Sequence, residues 1–362
     1  SIEILFTSST ALKGKVSSSI TASSAEYLYD VDYDKNTGYF TFVNRYIANP
    51  TTLEGSVSLL AGALATQENV LNQAFVSMNT SFTNRHDRRL DIVKDSKNLY
   101  ASTENFIFFD RSKIEGGFWL RPYAYRENLT LAGYDIESTI YGALAGLDLK
   151  ITDTKLLSFY IGYTGVNQTF ENIKIDENGY VFGATGMFVK EKFYAGVTAN
   201  AGVSDTTAKS SMGSNDFQIN TYTIGLKGGY EFDLSKVFVF EPNLLLMYGY
   251  TEAEKHETEQ GAKISKEGFN NFRIEPQLKF NFNLDDGWKP YALLGYIVNT
   301  GQTSVVVNGN KKQSQKLDPY CEYGAGLEKN FIGTAWVGFA QVTGKTGGKK
   351  GVGINLGIKY AF

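Results

Sequence analysis

Histidine and cysteine are the side chains that most readily supply a base, a nucleophile or a metal ligand at neutral pH. This chain of 362 residues holds only His86, His256 and Cys321. His256 lies in the run EAEKHETE (residues 252–259), where neighbouring carboxylates could add oxygen ligands to one imidazole. Zinc sites draw on several His or Cys ligands, so a single histidine among so many charges reads as a solvated loop. His86 lies in RHDRR (residues 85–89), with no Ser or Cys nucleophile spaced to make a triad. That cluster suits a helix terminus, where cations balance the backbone dipole, or a plug facing acidic walls. No catalytic residue, metal site or cofactor is expected. One cysteine also excludes a disulfide framework, and a net charge of −3 gives no basis for nucleic-acid binding.

Five other charges stand in a different setting. Arg121, Glu241, Arg273, Glu275 and Glu322 each fall on the polar side of a segment whose apolar residues recur at every second position. In NFRIEPQLKFNFN, Phe272, Ile274, Leu278, Phe280 and Phe282 share one face, while Arg273, Glu275, Gln277 and Lys279 share the other. Charges pointing inward must be paired or wet, so these five are expected to line a watery bore and to make ionic contacts with whatever occupies it.

The elements that carry them are strands of unusual length. Twelve alternating segments run near residues 117–127, 137–151, 155–168, 179–190, 192–204, 217–233, 236–252, 268–284, 287–300, 315–329, 333–344 and 350–362. A tilted strand needs about 9–11 residues to cross a bilayer, which these meet. The connections alternate between short turns such as TDT, KEK and DDG and long polar loops such as NQTFENIKIDENG and EAEKHETEQGAKISKEG. An even strand count with short turns on one side is the habit of outer-membrane barrels. The short turns are then periplasmic, as are both ends of the barrel segment. Pro242, Pro276, Pro290 and Pro319 lie within strands on apolar faces, where bulges or strand ends are expected. Thirty-seven glycines stand out beside Tyr 23 and Phe 25, and so many small residues on the polar faces fit a wet interior with limited space. No apolar run is long enough for a membrane-crossing helix. A soluble β-sandwich would instead pack its bulky rows against each other in a dry centre.

Upstream the period changes. Val57, Leu60, Leu64, Leu71, Phe75 and Met78 recur at helical spacing. Residues 55–84 carry a single charge, Glu68, among Gln67 and other amides, Ser, Thr and Ala, so this helix suits a polar, narrow tunnel. Pro50 marks its entry, and Thr51 or Thr52 is a candidate cap. Before it, EYLYDVDYDKNTGYFTFVNRY reads as two strands about an Asn36-Thr37-Gly38 turn. Four segments follow: 1–50 β-rich, 51–95 helical, 96–116 connecting and 117–362 barrel. The chain opens without an initiator Met or signal peptide, as expected of a piece of a longer precursor.

In order and spacing, GGFWLRPYAY, GALAGLDLK, FEPNLLLMYGY, EYGAGLEK and GVGINLGIKYAF after a helix ending in RHDRR resemble the C-terminal translocator domain of autotransporters, the type V secretion systems of Gram-negative bacteria. The resemblance covers residues 50–362, and residues 1–50 resemble the end of a passenger domain with its autochaperone section. It implies an all-β fold, a twelve-stranded antiparallel transmembrane barrel with an α-helix in the lumen. It also implies export of the chain's own N-terminal passenger to the cell surface. The partners it implies are outer-membrane lipid, the barrel-assembly machinery and periplasmic chaperones. Asn355, Gly357, Tyr360 and Phe362 fill the positions of the family's assembly signal. Some members cleave themselves at paired asparagines near the helix; residues 50–84 contain no such pair. The alternative reading is a general outer-membrane pore or adhesin barrel with an N-terminal plug.

Overall fold

A computed structural model describes residues 20–23, 27–33, 40–48, 50–81, 114–131, 134–210, 213–235, 237–257, 263–266, 268–284, 287–307 and 310–362. The chain begins with β1 (Ile20–Ser23), β2 (Tyr27–Tyr33) and β3 (Phe40–Ala48), an antiparallel sheet in that order, followed by α1 (Pro50–Ser81). Next come β4 (Gly117–Leu131), β5 (Tyr134–Thr152), β6 (Lys155–Phe170), β7 (Ile173–Lys190), β8 (Phe193–Ser210) and β9 (Gly213–Tyr230). The second half holds β10 (Phe232–Asp233), β11 (Phe238–Ala253), β12 (His256–Glu257), β13 (Lys263–Lys266), β14 (Phe269–Phe282) and β15 (Trp288–Asn299). It ends with β16 (Thr303–Val307), β17 (Asn310–Gln315), β18 (Tyr320–Asn330), β19 (Trp336–Gly347) and β20 (Lys349–Ala361).

Strands β4 to β9 pair in chain order, β9 pairs with β11, and β14, β15, β18, β19 and β20 follow, all antiparallel. β20 returns to β4 with Ala361 opposite Gly117, which closes a twelve-stranded barrel and leaves no edge. Alternation decides what faces lipid. On β9, Tyr222, Ile224 and Leu226 point outward and are each more than half exposed on the isolated chain, while Thr221, Thr223 and Lys227 point inward and are buried. The expected bulky rows therefore lie on the outside, not in a dry centre. Tyr141, Tyr163, Tyr180, Tyr222, Tyr248 and Tyr296 ring one end of this apolar band; Phe118, Phe232, Trp288, Trp336 and Phe362 ring the other.

Three expectations need correction. The long loops after the first, third and fifth barrel strands are continuations of the strands themselves: Leu131 pairs with Tyr134, Phe170 with Ile173 and Ser210 with Gly213. Part of the later loops forms a separate four-stranded sheet, β12-β13-β16-β17. Their polar composition misleads because the strands change sides. In the membrane the apolar residues face out, but beyond it Ile173 and Ile175 on β7, like Phe217 and Ile219 on β9, face in and leave Lys174, Asp176 and Asp216 to water. Secondly, Pro242 and Pro276 sit in strands without a register shift. At Pro276 the ladder to β15 lapses over two residues and resumes unshifted at Gln277 opposite Gly295, and Pro290 pairs with Leu327, whereas Pro319, directly before β18, does stand at a strand end as expected. A missing N–H is absorbed by a skipped rung. Thirdly, α1 starts at Pro50, so Thr51 and Thr52 belong to its first turn rather than capping it; Pro suits that first position because its N–H has no helical partner.

Inside the wall, bulky rings lie over glycines on the neighbouring strand. A Cβ on Gly142, Gly183, Gly229 or Gly326 would overlap Tyr123, Tyr160, Tyr194 or Tyr291 respectively, and one on Gly146 would overlap Trp119. The glycines thus let aromatic side chains lie flat and keep the bore open for the helix.

Candidate functional site: a helix-filled pore

α1 has 32 residues, about 48 Å at the usual helical rise, enough to thread the whole barrel. Its direction is fixed by packing. Leu59, Ala61 and Leu64 join an apolar cluster with Leu131, Ile136, Ile173, Phe217, Ile219 and Ile264, at the end where the hairpins extend. Met78 packs with Ile114, Leu156, Val189 and Tyr194, at the short-turn end where the barrel segment begins. The helix therefore enters from the long-hairpin side and runs toward the short turns.

Between these apolar ends the contacts become polar. Thr66 lies 2.8 Å from Glu177 Oε1, and Gln67 Nε2 donates to Thr251 Oγ1 at 3.0 Å. Asn200 Nδ2 donates to the Val70 carbonyl at 3.2 Å, and Gln73 donates to Tyr123 at 2.6 Å and to Thr164. Arg273 Nη1 donates to Asn72 Oδ1 at 2.9 Å and Lys227 donates to Asn79. Amides and hydroxyls on the helix meet the polar wall in this way through their donors, although the side-chain oxygens of Gln67 and Gln73 are buried without a hydrogen-bond partner.

Glu68 is the exception, a carboxylate only 4% exposed. Its Oε2 accepts from Tyr320 at 2.9 Å and lies 3.7 Å from Arg273 and 3.9 Å from Lys349. Those cations are held by other carboxylates: Arg273 by Glu275 at 2.7 Å, and Lys349 by Glu127 at 2.5 Å, which also binds Lys345. Lys345 reaches Glu322 at 3.7 Å. One helix charge is thus inserted into a wall network that is itself paired, which keeps each ion compensated away from bulk water. Beside the helix a cavity of about 90 Å³ remains, lined by Arg121, Lys227, Arg273, Glu275, Glu322 and Lys345 among others.

A family model described as autotransporter beta-domain matches residues 118–342, more than half of the chain. The chain belongs to this autotransporter family. It is an outer-membrane translocator barrel, and the domain that defines its family is a translocator rather than an enzyme. Among solved structures, the autotransporter chain is similar in fold to the beta domain of the Bordetella autotransporter BrkA, at 20% identity over 68% of this chain and 100% of that one, with a TM-score of 0.57. The transport unit of AIDA-I from Escherichia coli matches at 16% identity over 76% of this chain and 99% of that one, TM-score 0.62. The translocator domain of NalP from Neisseria meningitidis matches at 13% identity over 80% and 97%, TM-score 0.60. No curated protein matches the chain.

On this autotransporter barrel, the five charges singled out in the sequence all reach the cavity. Arg121 lies over the Phe339 ring at 5.3 Å, and Glu241 accepts from Tyr194 at 2.5 Å and from Asn281 at 2.9 Å. Of the helix residues, Leu64, Gln67, Leu71 and Met78 are buried against the wall. The side chains of Val57, Leu60 and Phe75, and all of RHDRR, lie outside the described residues. Of the terminal four, Asn355 Oδ1 accepts from Tyr125 at 3.0 Å. Gly357 leaves no room for a side chain, since a Cβ would stand 2.7 Å from Arg121 Cγ. Tyr360 and Phe362 face outward against Trp336 and Phe118, with ring centroids 4.9 and 5.5 Å apart. His256 stacks on Phe217 at 5.2 Å, and burial holds its imidazole below the ordinary histidine range. No metal-holding cluster of His, Cys, Asp or Glu is present among the described residues.

Sequence reasoning passed over Glu127, Asp148, Glu177, Lys345, Lys349 and Lys359, all buried in the lumen. The available signal was parity: each occupies the inward position of its strand.

Proposed function

We propose that the barrel carries its own N-terminal passenger to the cell surface and retains α1 as the end state of that passage. Residues 1–50 would then be the end of the passenger, 51–95 the segment left in the pore, 96–116 the return to the wall and 117–362 the anchor. The direction of α1 supports this reading most. Its N-terminal half packs among the long hairpins, the extracellular side by the habit of such barrels, so the chain ahead of it emerges outside. The filled bore leaves space for an extended or helical chain and not for a folded domain, so the passenger must cross unfolded. Arg121, Glu241, Arg273, Glu275 and Glu322 would wet the track and, through Arg273, hold the helix. No residue of the barrel acts as a catalyst. Asn355, Gly357, Tyr360 and Phe362 would serve as the signal for the barrel-assembly machinery, with periplasmic chaperones keeping the chain extended beforehand.

An impermeant thiol reagent tests the direction. Ser17→Cys in a Cys321→Ser background is expected to be labelled on intact cells; labelling only after the outer membrane is permeabilised would overturn the export reading. Deleting Phe362 is expected to abolish the heat-modifiable barrel band, and normal assembly without it would remove the signal assignment.

A further inference from the structure

The seam between β20 and β4 is where the barrel closes, and its ladder is incomplete. Asn355 pairs with Tyr123 and Ile358 with Leu120, but the rungs at Leu356 and Gly357 are absent. Pro122 stands opposite that gap and has no N–H to give. Backbone pairing alone therefore specifies this joint less firmly than the unbroken β4–β5 ladder beside it.

Side chains inside the barrel cross the same seam. Lys359 on β20 reaches over β4 to Asp148 on β5, with Nζ to Oδ2 at 2.8 Å and both residues 0% exposed. The other oxygen of Asp148 accepts from Trp119 Nε1 at 2.9 Å. Gly117 lies beneath the reach: a Cβ there would stand 3.0 Å from Lys359 Cε. Lys359 faces Trp119 in the ladder, and Asp148 faces Gly117, so the pair is diagonal and sensitive to register. A slip of two residues keeps every side chain on its proper face but moves Lys359 by roughly 7 Å along the wall. Alternation cannot reject such a slip, whereas two buried charges left apart can.

We infer that Lys359 is a positioning residue for barrel closure: its contact with Asp148 selects the register in which the last strand joins the first. This assignment does not depend on passenger export. The contact unites the first, second and last barrel strands, so it forms only when the seam has closed.

The test is a register assay at the outward face, in a Cys321→Ser background. Leu120→Cys with Ile358→Cys reports the native pairing; Leu120→Cys with Leu356→Cys or with Tyr360→Cys reports slips of two residues. Oxidation of assembled barrels in outer-membrane fractions is expected to link the native pair, and the slipped pairs less than one-tenth as well. Adding Lys359→Met is expected to raise the slipped links at least fivefold, and the exchange Lys359→Asp with Asp148→Lys to lower them again. Unchanged slipped links in an assembled Lys359→Met barrel would overturn the assignment. Should Lys359→Met fail to assemble, the exchanged pair decides: recovery of the native link supports the contact as the selector, and failure to recover it overturns it.

Discussion

Strands β5 to β9 meet the helix with Leu144, Val181, Thr164 and Asn200, whereas β14 to β20 present Arg273, Glu275, Lys345 and Lys349. On the first side α1 meets mostly apolar surface, hydroxyls and glycines such as Gly202, close against Val70, with scattered single contacts to Glu177, Asn200 and Lys227. The apolar part of this attraction is nearly non-directional and changes little if a helix shifts along it. On the second side one carboxylate finds two cations and a tyrosine, an arrangement satisfied at a single depth. The first half supplies adhesion and the second supplies position. A chain that has to pass through and then stop needs both.

The contrast can be broken most sharply at Glu68. Glu68→Ala leaves Arg273 and Lys349 facing the helix without its charge, and should weaken docking by about 3 kcal/mol. Single-channel recordings should then show long open periods that the native barrel lacks. On the smooth side, Gly202→Leu forces a side chain where a Cβ already comes within 2.8 Å of Val70, at about 1–3 kcal/mol. It should displace the helix without fixing it at another depth, seen as broadened conductance levels. Gln73→Ala removes its bonds to Tyr123 and Thr164 but leaves those two bonded to each other, so about 1 kcal/mol is expected in protease protection of the helix. The smallest effect concerns His256, outside both halves. Its folded pKa lies below the ordinary value of 6.5, so neutral histidine supports the outer sheet above that pH. Stability should fall as pH drops from there through the lowered value, measured as faster amide exchange in residues 256–266.

Much of this was legible in the sequence because lipid demands apolar side chains on one face and water or a filled lumen demands the opposite on the other. That rule exposes the twelve strands, and it places Arg121, Glu241 and Arg273 inward. It fails where its premise lapses. Beyond the membrane Ile175 and Phe217 turn inward, so a reading with fixed sides takes hairpins for loops. The partners of Glu68 were hidden for another reason. Arg273, Tyr320 and Lys349 stand on β14, β18 and β20, and only the pairing and curvature of the sheet between those strands bring them to one place. Parity tells which way a residue points, not what it meets.

The change of sides along β7 and β9 has a further consequence. A strand that swaps its oily flank partway along bears its own waterline. If the cylinder sank, Asp176 and Asp216 would enter hydrocarbon; if it rose, Ile224 and Phe182 would be stranded in water. The draught of this vessel is written into the alternation of single strands, before any neighbour or cargo is in place.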